Sequence, residues 1–331
     1  MIVEDYPIIG TLGVKSHAAF GATVKSSDEL MTLLPELSEL ALPVYWLGEG
    51  SNIVPQMRVN AVVVQIQSTS HAVIDEQETT VTVRVEAGVN WHQFVMQCLQ
   101  RGWFGLENLA LIPGSVGAVP VQNVGAYGVE VSQYIQAVHG YTLAGEAFCL
   151  SNADCGFAYR HSVFKEDASY AITAVDFALL KEARSNISYP ELGARFTEQR
   201  NPRPVDVARA VIDIRSQKLP DPHKNPNVGS FFKNPVVSVD EAQLISSQFP
   251  SLTCFRQDNG DYKLSAAQLI DLSGGKKLIG EGVQCWPRQP LVLVTQECED
   301  AQHVLDFAKQ VADRVSHMFG IALQTEPQIW E

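Results

Sequence analysis

Residues 113–128 read Pro-Gly-Ser-Val-Gly-Ala-Val-Pro-Val-Gln-Asn-Val-Gly-Ala-Tyr-Gly. A run so rich in glycine and proline is neither a helix nor a strand. It is not low-complexity linker either, because apolar and amide side chains are interleaved with the glycines, as in an ordered loop. A loop of this length inside a compact domain is usually functional. The residues alone leave two readings open: a nucleotide or flavin site, in which Gln122 and Asn123 bond a heterocycle edge, or a structural Ω-loop.

A second glycine segment, Gly48-Glu49-Gly50-Ser51-Asn52, follows the short apolar run Val44-Tyr45-Trp46-Leu47. Glycine admits positive φ and lets successive N–H groups converge on one concavity, a nest that holds phosphate oxygens without Lys or Arg. A tight strand-to-strand turn explains the same five residues. Neither segment is a GxGxxG fingerprint and neither ends in GK[ST], which argues against a dinucleotide fold of the Rossmann kind and against a P-loop.

The nest reading answers a difficulty set by charge. The chain carries 24 Lys+Arg against 37 Asp+Glu, a net charge of −13. Nucleic-acid binding needs clustered cations, so that class is disfavoured. An anionic ligand must then be held by local donors rather than by the overall field. Hydrophobic residues make up 46% and charged residues 18%, enough for packed cores. The six cysteines show no metal spacing, and neither do the eight histidines. We expect free thiols, solvated or structural histidines and no metal. With no leader and no apolar run of the ~20 residues that a membrane span needs, a cytoplasmic protein is expected.

Capping and periodicity predict helices over 26–41 (Ser26 and Glu29 as a capping box), from Asn90 to near Gly102, over 205–215, from Ser238, over 265–272 and over 299–319. Strands are expected at 43–47, 61–66, 81–85, 171–179 and 290–295, with a hairpin turning at Ala144-Gly145. Lys218-Leu219-Pro220-Asp221-Pro222 reads as a domain boundary. The fold class expected is α+β.

Several strings, in order, resemble one family: Gly48–Asn52; Gly105-Leu106-Glu107-Asn108-Leu109-Ala110-Leu111-Ile112-Pro113-Gly114; Gln122-Asn123-Val124-Gly125-Ala126-Tyr127-Gly128; Tyr159-Arg160; Lys218–Pro222; and Gly229-Ser230-Phe231-Phe232-Lys233-Asn234-Pro235. Across essentially the whole chain the sequence looks like UDP-N-acetylenolpyruvoylglucosamine reductase, of the longer type. The resemblance implies an FAD-binding fold of the vanillyl-alcohol-oxidase/PCMH type in two subdomains, 1–69 (with the tail 324–331) and 70–219. It also implies a C-terminal α+β substrate domain, 220–323. FAD would be bound non-covalently and NADPH would be co-substrate. The enzyme would be a monomer acting on UDP-N-acetylglucosamine-enolpyruvate in cell-wall precursor chemistry.

By the same resemblance, the flavin is lined by Gly48, Glu49, Gly50, Ser51, Asn52, Ile53, Leu111, Pro113, Gly114, Ser115, Gly117, Ala118, Gln122, Asn123, Gly125 and Ala126. Ser230 is the proton donor, Arg160 grips the substrate carboxylate, and Glu326 stands near the anionic intermediate. Tyr127, Tyr189, Arg215, Lys218, Asn234 and Gln289 look like contacts to the UDP-sugar. From local sequence alone, Ser230 reads as a turn serine, Arg160 as a surface ion-pair residue and Glu326 as a tail residue. Two departures stand out: Pro327-Gln328-Ile329-Trp330-Glu331 replaces the Val-Arg continuation commoner in the family, and Phe255 stands where a relative has tyrosine. The competing readings are a flavin oxidase of the same fold family and a non-catalytic flavin- or nucleotide-binding module.

Overall fold

The computed structural model describes residues 1–199, 201–257 and 259–331. The chain divides into two compact units: Met1–Pro7, Ala18–Glu49 and Asn60–Gln217 form the first, and Ile8–His17, Gly50–Val59 and Lys218–Glu331 the second.

In the first unit, alternation governs the larger sheet. Val81, Val83 and Val85 are at most 1% exposed, so the strand Thr80–Glu86 turns one edge of its pleat to the core. It pairs antiparallel with Tyr170–Leu180 on one side and His71–Glu76 on the other. Ile135–Thr142 and Ala147–Ser151 complete a five-stranded antiparallel sheet. The helix Trp91–Gln100 covers its core face and buries Trp91, Phe94, Val95 and Cys98. Phe94 and Phe177 stack at 5.3 Å between centroids, and the Trp91 indole N–H donates to the Leu109 carbonyl at 2.9 Å. Each such side chain contributes on the order of 1.5–3 kcal/mol by leaving water, and the indole bond removes the penalty of a buried donor.

A smaller four-stranded sheet orders Val3–Pro7, His17–Val24, Arg58–Ile66 and Val44–Leu47, the last two parallel. The helix Ser27–Glu39 buries Leu30, Leu33, Leu34 and Leu37 in the core cluster that also holds Val62 and Val64. Its start differs from the capping box expected. The Ser26 hydroxyl accepts from the Glu29 amide, but the Glu29 carboxylate takes the amide of Lys25 rather than that of Ser26.

In the second unit, the helices Val239–Gln248, Ala266–Leu272 and Ala301–Phe319 share a core with Phe231, Phe232, Leu264, Leu293 and Val54. The last helix buries Val304, Phe307, Ala308, Val311 and Val315 along one stripe. Cys254–Arg256 and Tyr262–Leu264 form a hairpin on which Phe255 is 40% exposed. Val283–Trp286 pairs with Gln289–Thr295. The tail strand Gln328–Trp330 runs parallel to Ile53–Pro55. All six cysteines are free thiols. Among the described residues no helix is long and apolar enough to cross a membrane, and no cluster of metal-ligating side chains occurs. The mixture of helices with mostly antiparallel sheets is the α+β class expected from the sequence.

Candidate active site

The two glycine segments meet in the first unit. Gly48 approaches Ser115 so closely that a Cβ on it would lie 2.8 Å from the serine Oγ and 3.4 Å from the Ala118 Cβ. Glu49 ties the segments together: its carboxylate accepts from the Gly114 amide at 3.0 Å and from the Asn90 side-chain amide at 2.6 Å. The Asn90 Oδ1 at the same time caps the helix Trp91–Gln100 through the Gln93 amide. Gly48, Glu49, Gly114, Ser115 and Ala118 are thus one locality. The division between the units falls inside the turn, with Gly50, Ser51 and Asn52 in the second unit.

The long loop is built differently from the nest the glycines suggested. It is preceded by a single 3₁₀ turn, Glu107–Leu109, and it contains a second such turn at Val116–Ala118. The amides of Val116, Gly117, Ala118 and Val119 are bonded to the carbonyls of Val89, Ala87, Ser115 and Val116. Gly117 serves close approach instead, since a Cβ there would fall 2.6 Å from that of Ala87. Ser115 is the exception. It sits opposite Asn90 in a bridge whose bonds run from Trp91 and Val116, so its own amide points away from the Asn90 segment. An amide left out of that bridge, beside a glycine turn too tight for a side chain, suits the phosphate oxygens of a dinucleotide, so the residues present fit FAD.

The loop then closes on itself. Asn123, 1% exposed with φ +46°, spends its side chain inside the protein. Its Nδ2 donates to Glu130 at 2.8 Å and to the Ala158 carbonyl at 3.2 Å, while Oδ1 accepts from the Ser132 amide at 3.1 Å. Its side chain is a brace, as in the Ω-loop reading, rather than the heterocycle contact of the alternative reading. Gln122 receives the Lys165 ammonium at 3.5 Å. Gly125-Ala126 and Val129-Glu130 form a small hairpin. Arg160, half-buried with φ +54°, donates to the Gly125 carbonyl at 3.1 Å and lies 5.4 Å over the Tyr159 ring. A left-handed arginine held by a loop carbonyl is a positioned cation rather than a freely swinging surface one.

Tyr127 packs edge-on against Tyr189 at 5.2 Å between centroids. Burial, with Glu191 and Tyr189 adding to it and Arg215 opposing, pushes the Tyr127 phenol up to about 12, so it stays a neutral donor at physiological pH. Burial lowers the Arg215 guanidinium from its ordinary value, while Tyr127 acts the other way. Arg215 remains charged and its Nε donates to the carbonyl of Leu111 at 3.3 Å. Pro113 lies between these two held points, Leu111 and Gly114.

The second unit gathers another group. The Phe231 amide bonds the Leu291 carbonyl, Ser230 bridges Val292, and the Glu326 amide donates to the Phe231 carbonyl at 2.9 Å. Ser230 and Glu326 are therefore carried on adjacent segments. The residues after Glu326 anchor its segment: Gln328 bonds the Asn52 carbonyl, Gln56 bonds the Trp330 carbonyl, and Trp330 is 2% exposed. The unusual tail thus has a packed place beside Asn52 and Ile53. Asn234 Oδ1 accepts the Ala266 amide at 3.0 Å. Gln289 opens its strand, and the Lys218 carbonyl accepts from the Trp286 indole at 3.1 Å.

One residue at this site was passed over in the sequence. His92, read only as solvated or structural, accepts the Leu111 amide on Nδ1 at 3.0 Å. No local pattern announces such a bond between a helix and a loop 19 positions later.

Known proteins are similar to this chain over nearly its whole length. Residues 18–148 match the family model of an FAD binding domain, and residues 221–330 match the UDP-N-acetylenolpyruvoylglucosamine reductase C-terminal domain. The protein of that name from Neisseria gonorrhoeae is 40% identical over 331 residues, 98% of this chain and 95% of that one. Its namesake from Chromobacterium violaceum is 39% identical over 325 residues, 96% and 95% of the two chains. The crystal structure of the reductase of the same name from Thermus caldophilus superposes with a TM-score of 0.68 over 100% of this chain and 98% of that one, at 22% identity, a likeness of fold.

Proposed function

The chain belongs to the UDP-N-acetylenolpyruvoylglucosamine reductase family, and from that membership we propose that it reduces UDP-N-acetylglucosamine-enolpyruvate to UDP-N-acetylmuramate with non-covalent FAD and with NADPH as the electron source. Bound FAD would supply the hydride chemistry, taking hydride from NADPH and passing it to the terminal methylene carbon of the enolpyruvyl ether.

The protein's own groups do the rest. Hydride arrival puts enolate character on the carboxyl-bearing carbon, and that charge must be stabilised while one proton is delivered. Arg160 holds the substrate carboxylate through a planar, permanently charged fork. Ser230 gives its hydroxyl proton to the carbon, and Glu326 stands by the developing anion. A serine hydroxyl is a poor acid, so Lys233 and Asn234 beside it support its conjugate base. Lys218, Asn234, Gln289, Tyr127, Tyr189 and Arg215 hold the UDP-sugar. Gly48 to Ile53, with Leu111, Pro113, Gly114, Ser115, Gly117, Ala118, Gln122, Asn123, Gly125 and Ala126, line the flavin, Asn123 through its brace. In this reading 1–69 with 324–331, and 70–219, are the two flavin subdomains, 220–323 is the substrate domain, and the enzyme is a cytoplasmic monomer.

The observation that carries the reading is the bond from the Glu326 amide to the Phe231 carbonyl, which puts the proposed donor and the proposed glutamate on neighbouring segments of one unit. The test is spectroscopic. The purified protein should be yellow, bleach under anaerobic NADPH, and regain its colour when the enolpyruvyl substrate is added. Ser230→Ala should slow the return of colour about 100-fold or more and leave bleaching nearly intact. Equal loss of both half-reactions would remove Ser230 from the donor role.

A further inference from the structure

Leu111 has φ +60°, a conformation that costs a residue with a side chain roughly 1–2 kcal/mol. Such a residue persists only when its surroundings hold it, and here both of its peptide groups are held. Its amide donates to His92 Nδ1 at 3.0 Å and its carbonyl accepts from Arg215 Nε at 3.3 Å. Gly114 is pinned in turn by Glu49 at 3.0 Å. The segment Leu111–Gly114 therefore hangs between fixed points, and its conformation depends on an imidazole.

Accepting a bond on Nδ1 requires a lone pair there, so His92 is neutral with its proton on Nε2. An imidazolium would turn an N–H toward the Leu111 N–H, and the bond would become a repulsion. We propose that His92 is a positioning residue for the flavin loop: neutral, it fixes Leu111 in the left-handed conformation, and protonated, it frees the loop and weakens the hold on FAD. The proposal rests on the flavin reading given above and deepens it.

The surroundings decide where the change falls. His92 lies half-buried on the helix Trp91–Gln100, which carries no charged side chain of its own. Facing it from the helix Pro204–Lys218 is Arg215, and next to Arg215 is Tyr127, a neutral phenol over the whole physiological range. Glu191 and Tyr189 act on Tyr127, and Glu49 is committed to Gly114 and Asn90. Burial first, and the Arg215 charge second, lower the His92 titration below its ordinary value. The loop is thus fully held above about pH 6.5, the ordinary histidine value, and the hold is lost as pH falls through the lower value of the folded protein.

The experiment is titration of the apoprotein with FAD between about pH 8 and pH 5, spanning the ordinary histidine range, for the unaltered protein, His92→Asn and His92→Leu. Asparagine can present an oxygen near the place of Nδ1 and does not titrate. Loss of one such bond is worth about tenfold in affinity, equivalent to ~1.4 kcal/mol. The unaltered protein should lose about tenfold on acidification, His92→Asn should bind well with a flat profile, and His92→Leu should bind about tenfold more weakly at every pH. An unaltered protein with tight FAD and no pH slope, or a His92→Asn variant that keeps the slope, overturns the role of His92 and leaves the flavin reading standing. No uptake of FAD at any pH overturns both.

Discussion

A single methyl group at Gly117 should damage the flavin loop, and the structure sets the size of the effect. Added to Gly117, a Cβ would lie 2.6 Å from the Cβ of Ala87, 3.1 Å from its Cα and 3.3 Å from its carbonyl oxygen. Carbon atoms pack at about 3.5–4.0 Å, so the two backbones must part by roughly 1 Å. Ala87 has no room to yield, being 4% exposed and bonded through its amide to the Thr173 carbonyl at 2.8 Å. The movement therefore falls on the turn, which loses the 2.8 Å bond from the Gly117 amide to the Ala87 carbonyl. Overpacking of this kind costs about 1–3 kcal/mol and the broken bond about 1 more. For a unit of roughly 200 residues that is a fall in Tm of about 5–15 °C. The assay is thermal unfolding followed by circular dichroism, with FAD titration alongside, which should show at least a tenfold loss. Gly48→Ala is the contrast. Its methyl would meet the Ser115 Oγ, a hydroxyl that can rotate away, so Tm should fall by only a few degrees while FAD binding still suffers. A Gly117→Ala protein melting with the unaltered one would refute the packing argument.

Three further outcomes follow from the same geometry. Asp176 is 5% exposed and bound by Arg84 at 2.7 and 2.8 Å and by His139 at 2.7 Å; burial works against ionisation, but those bonds prevail and hold it at about 2. Its stabilisation is therefore present above about pH 4 and lost as pH falls toward 2, so Asp176→Asn should cost ~1–3 kcal/mol in urea unfolding at pH 7, with the gap narrowing below pH 4. Asn123→Ala removes three bonds from a buried position of positive φ and should cost ~2–3 kcal/mol, read as a lower urea midpoint. Trp330→Ala empties a buried site beside Ile53–Pro55 and should cost ~3–5 kcal/mol, and the half-reaction assigned to Ser230 and Glu326 should slow more than the bleaching by NADPH.

Helices whose ends carry caps were legible in the sequence. Ser238 and Glu241 form their capping box, Asn90 caps Trp91–Gln100, and Ser265 caps Ala266–Leu272. The strand Thr80–Glu86 was legible because its core-facing valines, Val81, Val83 and Val85, alternate with Thr80, Thr82, Arg84 and Glu86 on the other face. His71–Glu76 was not: apart from a half-buried His71, it is exposed throughout, and without a buried face there is no period to read. Gln328–Trp330 was illegible for another reason, since three residues acquire strand character only from a partner far away in sequence. At the site, the glycine segments drew attention to the right loops but concealed their physics. The nest expected across the long loop is mostly close packing, and the brace role of Asn123 depends on Glu130, Ser132 and Ala158, which no string containing Asn123 reveals. His92 stayed hidden because its importance lies in the strain of Leu111, a dihedral angle that a sequence does not display.

The chain passes back and forth between its two units five times before it ends, and that weaving governs how the protein can be assembled or divided. Neither unit is a continuous stretch, so an expressed fragment starting at Lys218 would lack the strand Ile53–Pro55, along with Leu12 and Val54, and would leave part of its core open to water. The Thr295 hydroxyl reaches the Leu12 carbonyl across 283 positions. On the ribosome the early segments of the second unit must therefore wait, unpaired, until the late ones are made.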